Sequence, residues 1–146
     1  MHRIVNKKAR HDYHILETVE AGVVLSGQEV KSIRGGRVDM GDAFARIQNG
    51  QVYLKNVYIY PYMNQVIKDY DPKHDRKLLL HKNQISSLIG KVSKSAVTLI
   101  PLSLYEKHNF IKVEIALAAS KKKFDKRKAI KAKDEQRRLS QELKNF

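Results

Sequence analysis

Along this chain, runs in which every second residue is apolar are separated by a few stretches with helical spacing. Tyr13 to Val19 alternates well enough for a strand, and Val23-Val24-Leu25 follows Glu20-Ala21-Gly22. That order predicts a turn at Glu20 to Gly22 inside a first hairpin. Ser26-Gly27-Gln28-Glu29 has the form of a capping box and predicts a short helix to Arg34, stopped by Gly35-Gly36. Ala43 to Ile47 and Val52 to Val57 flank Gln48-Asn49-Gly50-Gln51, and Asn-Gly is the strongest short hairpin signal. Tyr58, Tyr60 and Tyr62 share a face if that strand continues, although Pro61 argues against a central strand. Met63 to Arg76 is polar and reads as a loop. Leu80, Ile85, Leu88, Ile89 and Val92 recur at three- and four-residue spacing, which predicts the main helix over Lys77 to Val92. Two further β runs, Ala96 to Leu104 and Phe110 to Ala118, turn around Glu106 to Asn109, with Pro101 marking a bulge or edge. Residues 1–10 form a basic lead with little pattern.

Hairpin, short helix, hairpin, helix and hairpin describe a mainly β body. About six short strands with two or three helices predict a small antiparallel barrel of the oligonucleotide-binding kind. Residues 1–119 suffice for one such domain with a single core. Residues 120–146 are different: they hold eleven Lys or Arg against four Asp or Glu, half of the chain's net charge of +14. A segment this polar buries too little to offset its ordering entropy, so it is expected to be disordered alone and to order on a polyanion.

Charge narrows the function classes. A basic chain calls for nucleic acid or an anionic surface. The tail's Leu139, Leu143 and Phe146 make a stripe too narrow for a membrane-binding helix, and no membrane partner is expected. The N-terminal residues MHRIVNKKARHDY lack an apolar signal core, and there are no cysteines, so a cytoplasmic protein without disulfides is expected.

Candidate chemistry is sparse. His11 and His14 stand three apart, which on a strand points them to opposite faces, and no nearby carboxylate or Cys completes a metal site. No nucleophile elbow or phosphate loop occurs, so no catalytic residue, metal or cofactor is expected. Glu29-Val30-Lys31 with Asp12 resembles the acid-and-lysine pattern of metal-dependent nucleases, yet Glu29 reads better as a capping residue. Basic groups are the stronger signal. Lys7, Lys8 and Arg10, with His11, lead into the first strand, and Lys31, Arg34 and Arg37 follow at three-residue intervals. They suit phosphate contacts. Tyr58, Tyr60, Tyr62 and Phe124 can stack on unpaired bases, packing at a barrel edge being the equal alternative for the tyrosines.

Several stretches carry a resemblance when taken in order. They are Asn6-Lys-Lys-Ala-Arg-His-Asp-Tyr13, Glu20-Ala-Gly22, Gly27-Gln-Glu-Val-Lys-Ser-Ile-Arg34, Arg76-Lys-Leu-Leu-Leu-His81, Leu88-Ile-Gly-Lys-Val92, Lys112-Val-Glu-Ile-Ala-Leu-Ala118 and Lys121 to Arg127. Together they resemble the SsrA-binding (small protein B) family. The resemblance implies a barrel that grips the tRNA-like domain of transfer-messenger RNA and delivers it to stalled ribosomes. Elongation factor Tu would be a partner indirectly, through the RNA. It further implies RNA contacts at Glu20, Leu79 and Lys112. The tail motif falls on Ser120 to Arg127, with Lys121, Lys122, Phe124, Asp125, Lys126 and Arg127 expected to meet the small-subunit ribosomal RNA of the empty decoding centre and the tail to become helical there. Ser120 stands where the family usually has Gly, and Phe124 where Tyr or His is common. The alternatives to this reading are a general RNA-binding, ribosome-associated protein and, further off, the nuclease.

Overall fold

The computed structural model describes residues 1–64, 68–94, 96–121 and 137–138. In chain order the elements are β1 (Ile4–Val5), α1 (Lys7–Asp12), β2 (Tyr13–Val23), α2 (Gly27–Arg34), β3 (Val38–Asp39), β4 (Phe44–Gln48), β5 (Gln51–Lys55) and β6 (Tyr58–Ile59). A short 3-10 turn at Tyr62–Asn64 precedes β7 (Arg76–Leu79), α3 (Lys82–Lys94), β8 (Thr98–Lys107) and β9 (Phe110–Ser120). The main sheet runs β1-β8-β4-β5-β7-β2-β9, all antiparallel, and β8 also pairs with β9. That last pairing closes six strands into a barrel and removes the open edges. The expected mainly β barrel is the fold observed.

The barrel core follows from alternation. On β9, Ile111, Val113, Ile115 and Leu117 point inward and are buried, as do Val52 and Leu54 on β5 and Leu78 on β7. Ile85 and Leu88 of α3 and Ile33 of α2 join them from the helices. A second, smaller cluster lies on the outer face of β8 and β9, where Ala9 of α1 meets Ile100, Leu102, Ala116 and Ala118. Alanines on the sheet let the helix approach closely, so the outward face is dry at this end and polar at the other.

Local signals account for several elements. Asn49 (φ 51°) and Gly50 (φ 72°) form the β4–β5 turn, both in the left-handed region that this turn requires. Ser26 accepts from the Glu29 N–H and Glu29 accepts from the Ser26 N–H, so the capping box is real. The register of β8 against β9 shifts between Pro101 and Ser103, the irregularity expected at Pro101.

Four expectations fail, each for a tertiary reason. Residues 1–10 are not patternless: Asn6 caps α1 and its amide donates to the Met40 and Pro101 carbonyls at 3.0 and 2.9 Å, stapling the lead to the sheet. His11 therefore sits on a helix, not a strand. Glu20 to Gly22 is not a turn, because β2 continues through it, paired with β9 up to Gly22 and with β7 at Gly22 and Val23. Two neighbours hold straight what local propensity would bend. Finally, Lys77 to Leu79 is strand, and the helix begins only at Lys82. The strand at Tyr58 stops at Ile59, ahead of Pro61, as that proline argued.

Candidate RNA-binding surface

Register places the three residues implied by the resemblance. Leu79 pairs with Gly22, Gly22 with Lys112, and Lys112 with Tyr105, making one row across β7, β2, β9 and β8. Glu20 lies two residues from Gly22 on the same face of β2. Glu20, Gly22, Leu79 and Lys112, with Leu80, His81 and Gln84, line an open pocket of about 500 Å³. Leu79 is outward and 55% exposed while Leu78 beside it is buried, as strand alternation demands. Leu79 falls in the stretch where a helix was expected, but the period that applies there is that of a strand.

Gly22 forms the pocket floor, and its lack of a side chain matters. A Cβ there would stand 3.3 Å from the Leu79 Cβ, tighter than ordinary packing. The floor stays open because nothing projects from it.

Glu20 is held in place. The Tyr105 hydroxyl donates to one carboxylate oxygen and the Lys107 ammonium lies 3.3 Å from the other. The Tyr105 hydrogen bond, helped by Lys107 and Lys112, keeps the Glu20 carboxyl below its ordinary value. Burial and the neighbouring carboxylate push the Tyr105 hydroxyl up, so it remains a donor. Arg3 stacks over the Tyr105 ring at 4.3 Å and pairs with Glu114 at 3.1 Å. Sequence reasoning missed Arg3, Tyr105 and Lys107. The i, i+2 spacing of Tyr105 and Lys107 was visible, but their shared face with Glu20 depends on pairing between distant segments.

The predicted basic groups divide between two places. Lys7, Arg10 and His11 are exposed on α1, over the outer face of the sheet, where Arg10 comes within 3.9 Å of Glu114 and His11 meets Asp12 at 2.9 Å. Lys31 and Arg34 lie on α2. Arg34 pairs with Glu106 at 2.7 Å, and Glu106 alternates with Tyr105 and Lys107 on β8, so α2 meets that strand from its other face. Lys31 sits over the Tyr62 ring and Arg37 over Tyr60, while Tyr58 and Tyr60 meet edge to face at 4.6 Å. The tyrosines thus pack into the α2 edge. Lys121 follows β9 directly, and Ser120 is extended strand paired with Tyr13, a conformation that asks nothing of glycine. Lys122, Phe124, Asp125, Lys126 and Arg127 lie outside the described residues.

Glu29, the carboxylate of the nuclease pattern, is committed elsewhere. It is buried, accepts from Arg76 Nη2 at 2.6 Å and Nε at 3.0 Å, and has His74 Nε2 at 3.0 Å. Burial alone would raise its pKa, but the Ser26 N–H and the Arg76 guanidinium outweigh that and lower it. An oxygen so engaged has no free face for a metal ion. Chemically, the outer pocket offers a cation for phosphate, fixed acceptors for N–H or O–H donors, and an apolar side chain against which a base or ribose can rest. Among the described residues, no helix is long and apolar enough to cross a membrane.

Comparison with known proteins agrees with this geometry. A family model described as "SmpB protein" matches residues 3–145. An SsrA-binding protein of Enterococcus faecalis is 53% identical over 140 residues, covering 96% of this chain and 91% of the relative. One from Limosilactobacillus reuteri is 48% identical over 141 residues, covering 97% and 90%. A solved structure described as "tmRNA-SmpB: a journey to the center of the bacterial ribosome" superposes with a TM-score of 0.69 at 48% identity, covering 82% of this chain and 84% of that one. The match along nearly the whole length, on a barrel whose outer pocket gathers Glu20, Leu79 and Lys112, makes this chain a member of the SmpB protein family.

Proposed function

We infer that this protein binds the tRNA-like domain of transfer-messenger RNA and delivers it to stalled ribosomes for trans-translation. It acts by binding rather than by catalysis, in the cytoplasm, and meets elongation factor Tu only through the RNA. The observation that carries the reading is the single pocket shared by Glu20, Gly22, Leu79 and Lys112 on a chain of this family. Lys112 supplies the phosphate contact, Glu20 accepts from base or ribose donors, and Leu79 shapes the apolar side. Lys7, Arg10 and His11 extend the positive face along α1, and Lys31 and Arg34 add charge from α2.

The work divides between two parts of the chain. Residues 1–119 form the RNA-binding barrel, and residues 120–146 serve the ribosome. In that tail Lys121, Lys122, Lys126 and Arg127 contact phosphates of the empty decoding centre and mRNA channel, Phe124 stacks, and Asp125 accepts hydrogen bonds.

A chain ending at Ala119 tests the division. It is expected to bind the tRNA-like RNA as tightly as the full chain and to lose tagging on stalled ribosomes. Equal loss of both activities would overturn the division. Lys112→Ala is expected to weaken the RNA complex and lower the slope of log affinity against log salt by about one. An unchanged slope removes Lys112 from the phosphate contacts.

A further inference from the structure

Beside the pocket lies a second depression that the reading above does not use. β2 and β9 stay paired as far as Gly22 and Lys112, and beyond that point they part. The wedge between them is a groove of about 320 Å³ whose lining includes Gly22, Val24, Leu79, Phe110 and Lys112. Three of the chain's exposed large apolar side chains meet there: Val24 at 51%, Leu79 at 55% and Phe110 at 69% exposure. Scattered exposed apolar residues need no explanation, but a group around one groove does.

Phe110 is the telling member. It opens β9 directly after a tight turn in which His108 and Asn109 take φ of 51° and 66°. A turn needs no aromatic there, and at its exposure the ring contributes little to the core. Alternation puts Phe110 on the same face as Lys112 and Glu114, and it pairs across the hairpin with Lys107. Lys107 and Lys77 are both exposed, and the Val24 N–H donates to the Lys77 carbonyl at 3.0 Å. An aromatic face next to an apolar wall, with lysines on either side, suits a flat apolar ring carried on an anionic backbone. A protein partner would have less use for the lysines, which are depleted at the centres of protein interfaces.

We propose that this groove is a stacking site for one unpaired nucleobase, with Phe110 as its platform and Leu79 and Val24 as its wall. The inference rests on the RNA-binding reading, because the groove shares Gly22, Leu79 and Lys112 with the pocket and so receives the same strand. Lys107 and Lys112 hold the flanking phosphates, and the stacked base sits one register step beyond the groups that Glu20 meets.

The chain has no tryptophan, which makes the test direct. Full-length protein is titrated with a transcript of the tRNA-like domain. Phe110→Ala is expected to lower affinity about tenfold or more with the salt slope unchanged, since stacking releases no counterion. Phe110→Leu is expected to bind as weakly as Phe110→Ala, while Phe110→Trp keeps affinity, and its single indole emission is quenched on saturation. The thermal midpoints of all three are expected to match the parent because the side chain is exposed. Wild-type affinity for Phe110→Ala or Phe110→Leu, or unchanged emission from Phe110→Trp in the saturated complex, would overturn the stacking site. Failure of the unaltered protein to bind the transcript would instead sink the RNA-binding reading itself.

Discussion

Glu20 and Glu29 are both carboxylates held below their ordinary pKa, yet their surroundings are opposite. Glu29 is buried at the start of α2, where one oxygen meets the buried Arg76, His74 and, at 3.4 Å, Tyr70, while the other closes the helix cap. Glu20 is exposed on β2 and, among the described residues, takes one partner on each oxygen, Tyr105 and Lys107. A carboxylate oxygen has two lone pairs, so Glu20 keeps acceptor capacity aimed at the pocket while Glu29 has spent its own on the fold. A perturbed acid therefore does not by itself mark a site. What separates the two is whether the charge stays reachable from outside.

The largest effect should come from breaking the buried side of this pair. Glu29→Gln leaves the buried Arg76 charge with the Val57 and Pro72 carbonyls but without its carboxylate, and is expected to cost about 3–5 kcal/mol of stability. Its denaturation midpoint reads this, and a loss near zero would mean that Arg76 finds other partners. The pH sign follows from the lowered pKa. The contribution of Glu29 is complete above its ordinary value and disappears as pH falls through the lower folded value. Acid unfolding should therefore keep less of its pH dependence in Glu29→Gln.

Breaking the exposed side should spare stability and strike binding. Glu20→Gln is expected to lower affinity for the tRNA-like RNA about tenfold, the scale of a charge-assisted hydrogen bond, with the midpoint almost unmoved. Tyr105→Phe acts more gently. It frees the Glu20 carboxyl to rise toward its ordinary value, so affinity begins to fall at higher pH than in the parent. Coincident pH profiles would show that Tyr105 does not set the charge of Glu20.

The smallest change probes the floor between them. Gly22→Ala must displace Leu79 by a few tenths of an ångström. Stability should shift by less than about 1 kcal/mol, because the strand gains from losing a glycine what it loses in packing. Affinity is expected to drop severalfold. Parent-like affinity would mean that the pocket tolerates a displaced Leu79.

Much of this architecture was legible in the chain. The capping box at Ser26, the Asn49-Gly50 hairpin, the Pro101 irregularity and the inward set on β9 all depend on neighbours close in sequence, and all are present. The candidate site was legible mainly through the resemblance, which singled out Glu20, Leu79 and Lys112 without saying how they meet. Tyr105, Lys107 and Phe110 gave no local signal, since an outward aromatic or lysine on a strand looks the same whether or not it has a partner across the sheet.

By itself, the sequence determined the class of fold, the basic character and the concentration of positive charge in residues 120–146. These depend on composition and on periods of two or four residues, which local chemistry carries. Only the tertiary structure decided the rest. It held Glu20 to Gly22 straight between β7 and β9, turned Leu79 outward beside a buried Leu78, and set Leu79, Gly22, Lys112 and Tyr105 in one row. Those outcomes belong to strand pairing across long separations, where register chooses the face of every side chain, and no window along the chain contains that choice.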